Sequence, residues 1–293
     1  MNPADTPEVY QVRTIASGSS GNCIFVRIGE VRLLLDVGIS RRRITQALAE
    51  IGEDLGDINA MLVTHEHDDH IAALRTIRER YPHMPIYSTA GTALGCLKRK
   101  RWRYSHDVMQ ADVPFHIGPV QITPFATSHD VIEPVGLRIE TDRFALGLAT
   151  DLGRWSASVE RALEDCQVLI IEANYDVEML WHGPYPLHLK RRVVSHRGHL
   201  SNDQARELVS RVAGPRLEQI IFGHLSAQNN TPEKVLGALG NCLSNAPRAE
   251  ILVASRTEPG PLLSFTGSEP TTRRRAMPSP EDWQQSLFPM LSV

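Results

Sequence analysis

The chain has 293 residues, and its 31 Lys and Arg residues against 34 Asp and Glu residues give a formal net charge of −3. With 42% hydrophobic and 22% charged residues, this is the composition of a globular protein with a sizeable core. A near-neutral charge excludes a uniformly basic protein, so any binding to nucleic acid must come from local patches. No signal peptide, transit peptide or membrane-spanning run is visible, so we expect a cytoplasmic protein that does not enter a membrane.

Hydrophobic periodicity predicts strand pairs that are followed by alternating strands and helices. The predicted strands cover 9–16, 23–28, 31–35, 58–63, 86–88, 120–125, 135–139, 144–149, 168–171 and 217–222. The predicted helices cover 41–51, 71–80, 157–163 and 202–212. Ser201 and Gln204 form a capping-box signature, and Thr231 with Pro232 opens another helix. Because this order occurs twice, we expect an α/β fold with helices outside two packed sheets.

The end of the chain differs in composition from the rest. Residues 251–265 are predicted to form a final hairpin with its turn at 259–261. Ser, Thr, Pro and Arg dominate afterwards, so we expect a folded domain over 1–266 and a flexible tail over 267–293. The four cysteines form no CxxC pair and are expected to be buried, reduced thiols: Cys23, Cys96, Cys166 and Cys242.

The strongest feature is a run of histidines and aspartates between an apolar strand and a helix, Thr64-His65-Glu66-His67-Asp68-Asp69-His70. Imidazole and carboxylate ligands suit first-row divalent metals. Two histidines that are two residues apart in extended backbone point the same way, so His65 and His67 could bind one ion. Asp69 and His70, at the turn into the helix, could then reach a second ion.

Three later residues also follow apolar strands, namely His129, Asp151 and His224. Functional residues of α/β proteins gather along the rim where such strands end. Each of the three would more often be structural if it stood alone. Together with the earlier run they supply seven ligands, the number that two ions sharing one carboxylate need.

With these motifs in order, the sequence resembles the metallo-β-lactamase fold superfamily across about 9–263. Further motifs resemble its YycJ/WalJ-type exonuclease branch: Ser17-Gly18-Ser19-Ser20-Gly21-Asn22, Leu35-Asp36-Val37-Gly38, Glu133-Pro134-Val135-Gly136, Glu172-Ala173-Asn174-Tyr175-Asp176, Gly183-Pro184-Tyr185-Pro186, Gly198-His199-Leu200-Ser201-Asn202 and Gly223-His224-Leu225-Ser226. The resemblance implies a four-layer αββα sandwich. It also implies a dinuclear metal-dependent phosphodiesterase that acts as a DNA exonuclease, in the 5′ to 3′ direction on duplex DNA, with a role in DNA repair.

The resemblance also implies a role for each ligand. His65, His67 and His129 would bind the first metal, Asp69, His70 and His224 the second, with Asp151 bridging, and Asp36 would orient a ligand histidine. The two ions would lower the pKa of a bridging water, so that it attacks the phosphate as hydroxide, and Asp69 could accept the proton that the water loses. Mixed nitrogen and oxygen donors permit Zn²⁺ or Mn²⁺. Iron is disfavoured because di-iron relatives of this fold have a carboxylate at the position of His67.

Two loops are candidate substrate contacts. The loop with Ser17, Ser19 and Ser20 could cradle a phosphate through backbone N–H groups, while a tight turn with solvated serines is an equal alternative. His199 lies just before the helix that Ser201 caps, so we expect it to contact the scissile phosphate or to protonate the leaving oxygen. The alternative is a hydrogen bond from His199 to a neighbouring loop.

Five basic residues surround Trp102, namely Lys98, Arg99, Lys100, Arg101 and Arg103. Such runs are usually solvated faces. On a protein of net charge −3, however, a concentrated patch with an aromatic residue favours contact with DNA, and the weaker basic cluster at 190–192 is expected to line the same groove.

The tail carries a separate signal, Gln284-Gln285-Ser286-Leu287-Phe288, which resembles the pentapeptide that binds the bacterial sliding clamp and departs from it at Gln285. Leu287 and Phe288 would fill an apolar pocket and Gln284 would fix the register. A tail segment that packs on the parent domain is the alternative.

Two other functions remain open from the sequence. The same metals would also serve a small-molecule phosphodiesterase or a thioester hydrolase, which the basic run argues against. The chain could also be a nucleic-acid-binding or clamp-binding protein without turnover, which the intact ligand set argues against.

Overall fold

The structure is a computed structural model that describes residues 9–239 and 242–267. In these residues the chain forms two seven-stranded sheets. The first sheet has the order β14-β1-β2-β3-β4-β5-β6 and contains β1 (Val9–Ala16), β2 (Cys23–Ile28), β3 (Val31–Leu35), β4 (Ala60–Leu62), β5 (Ile86–Ser88), β6 (Asp107–Val108) and β14 (Leu263–Thr266).

The second sheet has the order β13-β12-β11-β10-β9-β8-β7. Its strands are β7 (Phe115–Ile117), β8 (Val120–Ala126), β9 (Val135–Glu140), β10 (Ala145–Ala149), β11 (Val168–Glu172), β12 (Gln219–Gly223) and β13 (Glu250–Val253). In each sheet one half is antiparallel, and the other half is parallel, from β3 to β6 and from β10 to β13.

The helices are α1 (Arg41–Ala49), α2 (Asp68–Ile71), α3 (Leu74–Arg80), α4 (Ala90–Lys100), α5 (Ala157–Leu163), α6 (Val177–His182), α7 (Leu187–Val193), α8 (Asn202–Val212) and α9 (Pro232–Leu239), with a short 3-10 helix at Leu55–Asp57. None of the helices described is long and apolar enough to cross a bilayer.

Three apolar clusters produce four layers. The central cluster lies between the sheets, because it combines buried side chains of β1 to β4 with those of β8 to β11. The opposite face of the first sheet packs on α1 and α3, and the opposite face of the second packs on α5, α8 and α9. Because side chains alternate along each strand, one sheet can serve two clusters. The predicted αββα sandwich is therefore confirmed.

Most predicted elements are confirmed. Four strands, 9–16, 23–28, 31–35 and 86–88, and two helices, 157–163 and 202–212, agree with the structure at both ends. The other predicted strands and the helix at 41–51 differ by one or two residues at an end. The capping box of α8 is present, α9 begins at Pro232, and all four cysteines are free and buried.

The helix predicted over 71–80 is wrong in its bounds. The structure has α2 and α3 in its place, and the N–H of Ala73 between them donates to Val37 O at 2.8 Å. The carbonyl of Asp69 accepts instead from Asn22 N at 2.7 Å. Ala73 N and Asp69 O would bond to each other in a continuous helix, but here each bonds to a loop of the first sheet.

The final hairpin predicted over 251–265 is also wrong. β13 pairs in parallel with β12 in the second sheet, whereas β14 pairs antiparallel with β1 in the first. The segment between them crosses from one sheet to the other, with Ala254 N bonded to Phe222 O and Gly260 N bonded to Thr14 O. Alternation and turn residues specify two strands but not which sheet each one joins.

Candidate metal centre

The site lies at one edge of the sandwich, where strands of both sheets end. The 64–67 loop and α2 follow β4, His129 follows β8, Asp151 follows β10 and His224 follows β12. Asp151 and His224 have positive φ angles of 57° and 54°, which non-glycine residues seldom adopt. Such backbone geometry is concentrated at functional sites, where surrounding structure maintains it.

The first cluster is formed by three imidazoles. His67 Nδ1 lies 3.2 Å from His65 Nε2 and 3.2 Å from His129 Nε2. Asp151 Oδ1 lies 3.5 Å from His129 Nε2 and 4.0 Å from His65 Nε2. Three nitrogens and one carboxylate oxygen therefore face a common point.

The second cluster lies on the other side of Asp151. Asp69 Oδ2 is 3.6 Å from His70 Nε2 and 3.4 Å from His224 Nε2. Asp151 Oδ2 is 3.2 Å from His70 Nε2. Asp151 Oδ1 also lies 3.6 Å from His224 Nε2. Asp151 thus contacts both clusters, and all seven residues predicted as ligands come together.

The donor set fits divalent cations. Burial and the neighbouring His70 hold the pKa of His65 well below its usual range, and burial with His129 lowers the pKa of His67 to about 4. These imidazoles are therefore neutral at pH 7 and can donate a lone pair. The Oδ2 atom of Asp151 is buried and makes no hydrogen bond within the described part of the chain. A buried carboxylate oxygen without such a partner is suited to bind a cation.

Negative charge is concentrated at the second cluster. Although burial favours the neutral imidazole, Asp151, Asp69 and Glu172 raise the pKa of His224 to about 10. Burial likewise opposes ionisation of Asp151, yet His224 and His70 hold its pKa well below the usual range. A cation bound at the second cluster would replace the protons on His224 and His70 as the positive charge that faces these carboxylates.

Asp36 lies behind His70. Its Oδ2 accepts from His70 Nδ1 at 2.7 Å, and its two oxygens accept from Thr64 N and Thr64 Oγ1, each at 2.8 Å. Nε2 of His70 faces the second cluster and also lies 3.0 Å from Asn22 Nδ2. Gly38 allows the loop after Asp36 to pass against α2, because a Cβ there would overlap the Asp69 carbonyl.

The sequence interpretation gave no role to Glu172, the last residue of β11, which is fully buried beside the site. One oxygen accepts from Leu152 N at 2.7 Å and Leu200 N at 3.0 Å, and the other lies 3.0 Å from His199 Nδ1 and 3.4 Å from His224 Nδ1. A carboxylate that ends an apolar strand was the signal available in the sequence. His199 therefore lies at the site, 15% exposed, with Nδ1 held by Glu172.

The serine loop is divided between interior and surface. Ser17 is buried, and its hydroxyl accepts from His224 N at 2.9 Å, whereas Ser19 and Ser20 are exposed. The N–H groups of Ser17, Gly18 and Gly21 already bond within the protein, to Ser255 O, Asn22 Oδ1 and Gly18 O respectively. The structure thus links Ser17 to the position of a ligand histidine.

The basic run occupies the C-terminal turn of α4 and the residues after it. All five of its basic side chains are exposed, namely Lys98, Arg99, Lys100, Arg101 and Arg103. Lys100 Nζ lies 2.7 Å from Asp68 Oδ2, so the run is adjacent to the turn that carries the ligands. Trp102 stacks on Tyr104 with a centroid distance of 4.9 Å.

Comparison with known proteins identifies relatives over most of the chain. The family model described as "Beta-lactamase superfamily domain" matches residues 31–224. Exodeoxyribonuclease WalJ of Streptococcus pneumoniae serotype 2 (strain D39 / NCTC 7466) is 35% identical over 243 residues, covering 81% of this chain and 89% of that protein. Exodeoxyribonuclease YycJ of Bacillus anthracis is 32% identical over 232 residues, covering 75% and 83%. Among solved structures, the metallo-β-lactamase fold protein YhfI from Bacillus subtilis has a TM-score of 0.65 and 16% identity over 86% of this chain and 99% of its own.

Proposed function

Because this chain belongs to the metallo-β-lactamase superfamily, in the branch of the WalJ and YycJ exodeoxyribonucleases, we propose that it is a metal-dependent DNA exonuclease. The observation that carries the proposal is the position of Asp151, whose carboxylate contacts both ligand clusters. Two-metal sites of this kind are typical of phosphodiester hydrolysis.

Seven side chains would hold two divalent cations, Zn²⁺ or Mn²⁺, with His65, His67 and His129 on one, Asp69, His70 and His224 on the other, and Asp151 between them. The cations would supply Lewis acidity toward the phosphate and lower the pKa of bound water. Asp69, whose side chain is 21% exposed, would accept the proton of the attacking water. Glu172 engages Nδ1 of His199, so Nε2 is the atom that would give a proton to the leaving oxygen.

The substrate is assigned from the basic run beside the site. Lys98, Arg99 and Lys100 end α4 next to the ligand turn, where they would bind phosphates on either side of the scissile bond. Cleavage in the 5′ to 3′ direction, a role in DNA repair and a cytoplasmic location extend this proposal. The division into a hydrolase domain over 1–266 and a tail over 267–293 belongs to it as well.

The test is a cleavage assay with protein reconstituted with zinc or manganese. End-labelled linear duplexes, closed circular duplexes, single strands and RNA are incubated beside an Asp69→Ala control. We expect mononucleotide release from linear DNA and no attack on closed circles, with loss of turnover in the control. Absence of nucleic-acid cleavage with either metal, together with hydrolysis of a small phosphodiester, would contradict the proposal.

The sliding-clamp hypothesis concerns Gln284, Leu287 and Phe288, which lie outside the described residues. We keep it as a separate proposal. Clamp binding by the full chain is compared with that of a chain ending at Pro280, and we expect the truncation to abolish binding. Equal binding by both forms, or none by either, would reject it.

A further inference from the structure

Residues 177–194, which contain α6 and α7 and which we call the arm, lie between β11 and α8 in the chain and contact the surroundings of the metal centre through Arg192. α7 contributes no buried side chain, and Leu180 is the buried residue of α6. Trp181 is 45% exposed and Leu187 53% exposed. Packing into the hydrophobic core therefore does not explain the sequence of the arm.

The arm is basic. It carries one acidic residue, Glu178, against three basic residues in the last turn of α7, namely Lys190, Arg191 and Arg192. Basic residues often end helices because they complement the helix dipole, so their position alone does not indicate a ligand. The contacts of Arg192 supply the second observation.

Arg192 reaches the metal centre through Asp130. Its Nε lies 2.6 Å from Asp130 Oδ2, and Asp130 Oδ1 lies 3.6 Å from His67 Nε2 and 3.5 Å from His129 Nε2. The Oδ1 atom of Asp130 is buried without a hydrogen bond inside the described ranges. The guanidinium is thus held next to two metal-ligand histidines while its side chain remains 52% exposed.

A second basic turn lies near the same ligands. The last turn of α4 is joined to α2 by the Lys100–Asp68 pair at 2.7 Å, and Asp68 follows His67 directly. Two basic helix ends, from α4 and α7, therefore lie near His67. A phosphate chain that crosses the metal centre would have cations of both helix ends within its surroundings.

We propose that the arm binds single-stranded DNA next to the cleaved bond, with Arg192 on a phosphate beside the metal centre and the Trp181 indole stacked on a base. Lys190 Nζ donates to Trp181 O at 2.6 Å, so α7 contacts the end of α6 that carries Trp181. Basic residues with an exposed aromatic ring are the usual means of binding single strands. This inference rests on the proposed function, whose substrate class it narrows.

The test measures binding without turnover. Full-length, zinc-loaded protein is titrated with a fluorescent single-stranded oligonucleotide whose ends carry phosphorothioate linkages, at several salt concentrations. We expect Trp181→Ala to weaken binding by about five- to hundredfold and Trp181→Phe to retain most of it, because phenylalanine still stacks. Arg192→Ala should lower the slope of log affinity against log salt by about 0.7, the amount expected when one phosphate is no longer neutralised.

Arg206→Ala is the matched control, because Arg206 is exposed on α8 and pairs with Asp203 at 3.7 Å. It should change neither affinity nor slope. Unchanged affinity in Trp181→Ala and an unchanged slope in Arg192→Ala would overturn the proposal. So would a change in sedimentation with constant DNA affinity, since the arm would then be a surface between two copies of the chain.

The binding readout separates the two proposals. Strand binding that depends on the arm, in a protein that cleaves no nucleic acid, would support the arm and reject the exonuclease. Normal cleavage of DNA, together with arm variants that bind single strands as well as the wild-type protein does, would support the exonuclease and reject the arm.

Discussion

At the residue scale, four of the five candidate ligand histidines have a neighbour at the ring nitrogen that faces away from the clusters. His129 Nδ1 lies 3.0 Å from Gly198 O, and His65 Nδ1 lies 3.1 Å from Thr64 Oγ1. A donor nitrogen that bonds to such a partner leaves the other nitrogen as the metal ligand and fixes the ring orientation. The site is therefore preorganised by neighbours that lie outside the ligand set.

Glu172 is the partner with the most contacts, and Glu172→Gln tests its role. The glutamine amide would place a donor against the Nδ1–H groups of His199 and His224, which now face a carboxylate oxygen. We expect metal affinity to fall by about 10- to 100-fold. Competition of the protein with a chromogenic chelator measures this affinity.

Glu207→Gln is the control, because Glu207 is exposed on α8 and pairs with Arg211 at 2.8 Å. It should leave metal affinity unchanged. Wild-type affinity in Glu172→Gln would show that the buried carboxylate does not position the ligands.

At the element scale, α4 packs closely on the ligand loop through Gly95. A Cβ at this position would overlap the Glu66 side chain, whose Oε1 accepts from Ile132 N at 3.1 Å. Gly95→Ala should therefore destabilise the protein by about 1–3 kcal/mol, despite the better helix propensity of alanine. Gly237→Ala is the matched control, since no atom lies within 4 Å of a Cβ there and α9 should gain about 0.5–1 kcal/mol.

Urea denaturation of both variants measures these free energies. Stabilisation of Gly95→Ala by the same amount as Gly237→Ala would mean that α4 can move away from Glu66 without cost.

The last turn of α4 is the element on which the substrate assignment depends. The variant replaces Lys98, Arg99 and Lys100 by glutamine and Arg101 by asparagine. Asparagine is chosen for position 101 because it tolerates the left-handed conformation of this C-cap, where φ is 52°. We expect the log-log salt slope of duplex binding to decrease by about 0.9 for each phosphate that the variant no longer neutralises. Anisotropy titrations from low to high salt measure the slope, and an unchanged slope would reject the patch.

The sequence predicted strands better than helices, for a physical reason. β1 interleaves apolar with polar residues, and β3 is apolar apart from Arg32. Both have clear turn residues at their ends, and their bounds agree with the structure. α7 has no buried side chain and hence no apolar stripe from which it could be predicted. The hairpin error has another origin, because the sheet that β14 joins depends on its contact with β1, more than 200 residues away in the chain.

The convergence of the candidate ligands was predictable for a related reason. His129, Asp151 and His224 each follow an apolar strand, and parallel strands place such residues at one edge. The contact of Glu172 with the site was not predicted, because Glu172 is the last residue of its strand and does not follow the strand as the candidate ligands do. The position of Asp130 beside His67 and His129 was not predicted, because local sequence does not encode this contact between distant segments.

At the scale of the whole molecule, the two sheets supply different candidate ligands. His65, His67, Asp69 and His70 follow β4 of the first sheet, and His129, Asp151 and His224 follow strands of the second. The central apolar cluster brings these edges together. Cations bound by both groups would therefore link the two halves of the sandwich, and metal binding would be coupled to global stability.

Removal of metal tests this coupling. A ligand present at 100 times its dissociation constant stabilises the folded state by about 2.7 kcal/mol, so chelation should lower Tm by about 5 °C or more. Calorimetry of reconstituted and chelator-treated protein measures the shift. Asp151→Asn should lose most of the metal-dependent shift, because Asp151 contacts both clusters, whereas His116→Ala, at an exposed position of β7, should retain it. Equal Tm values with and without metal in the wild-type protein would mean that the ligand groups come together without help from the cations, and the coupling would be rejected.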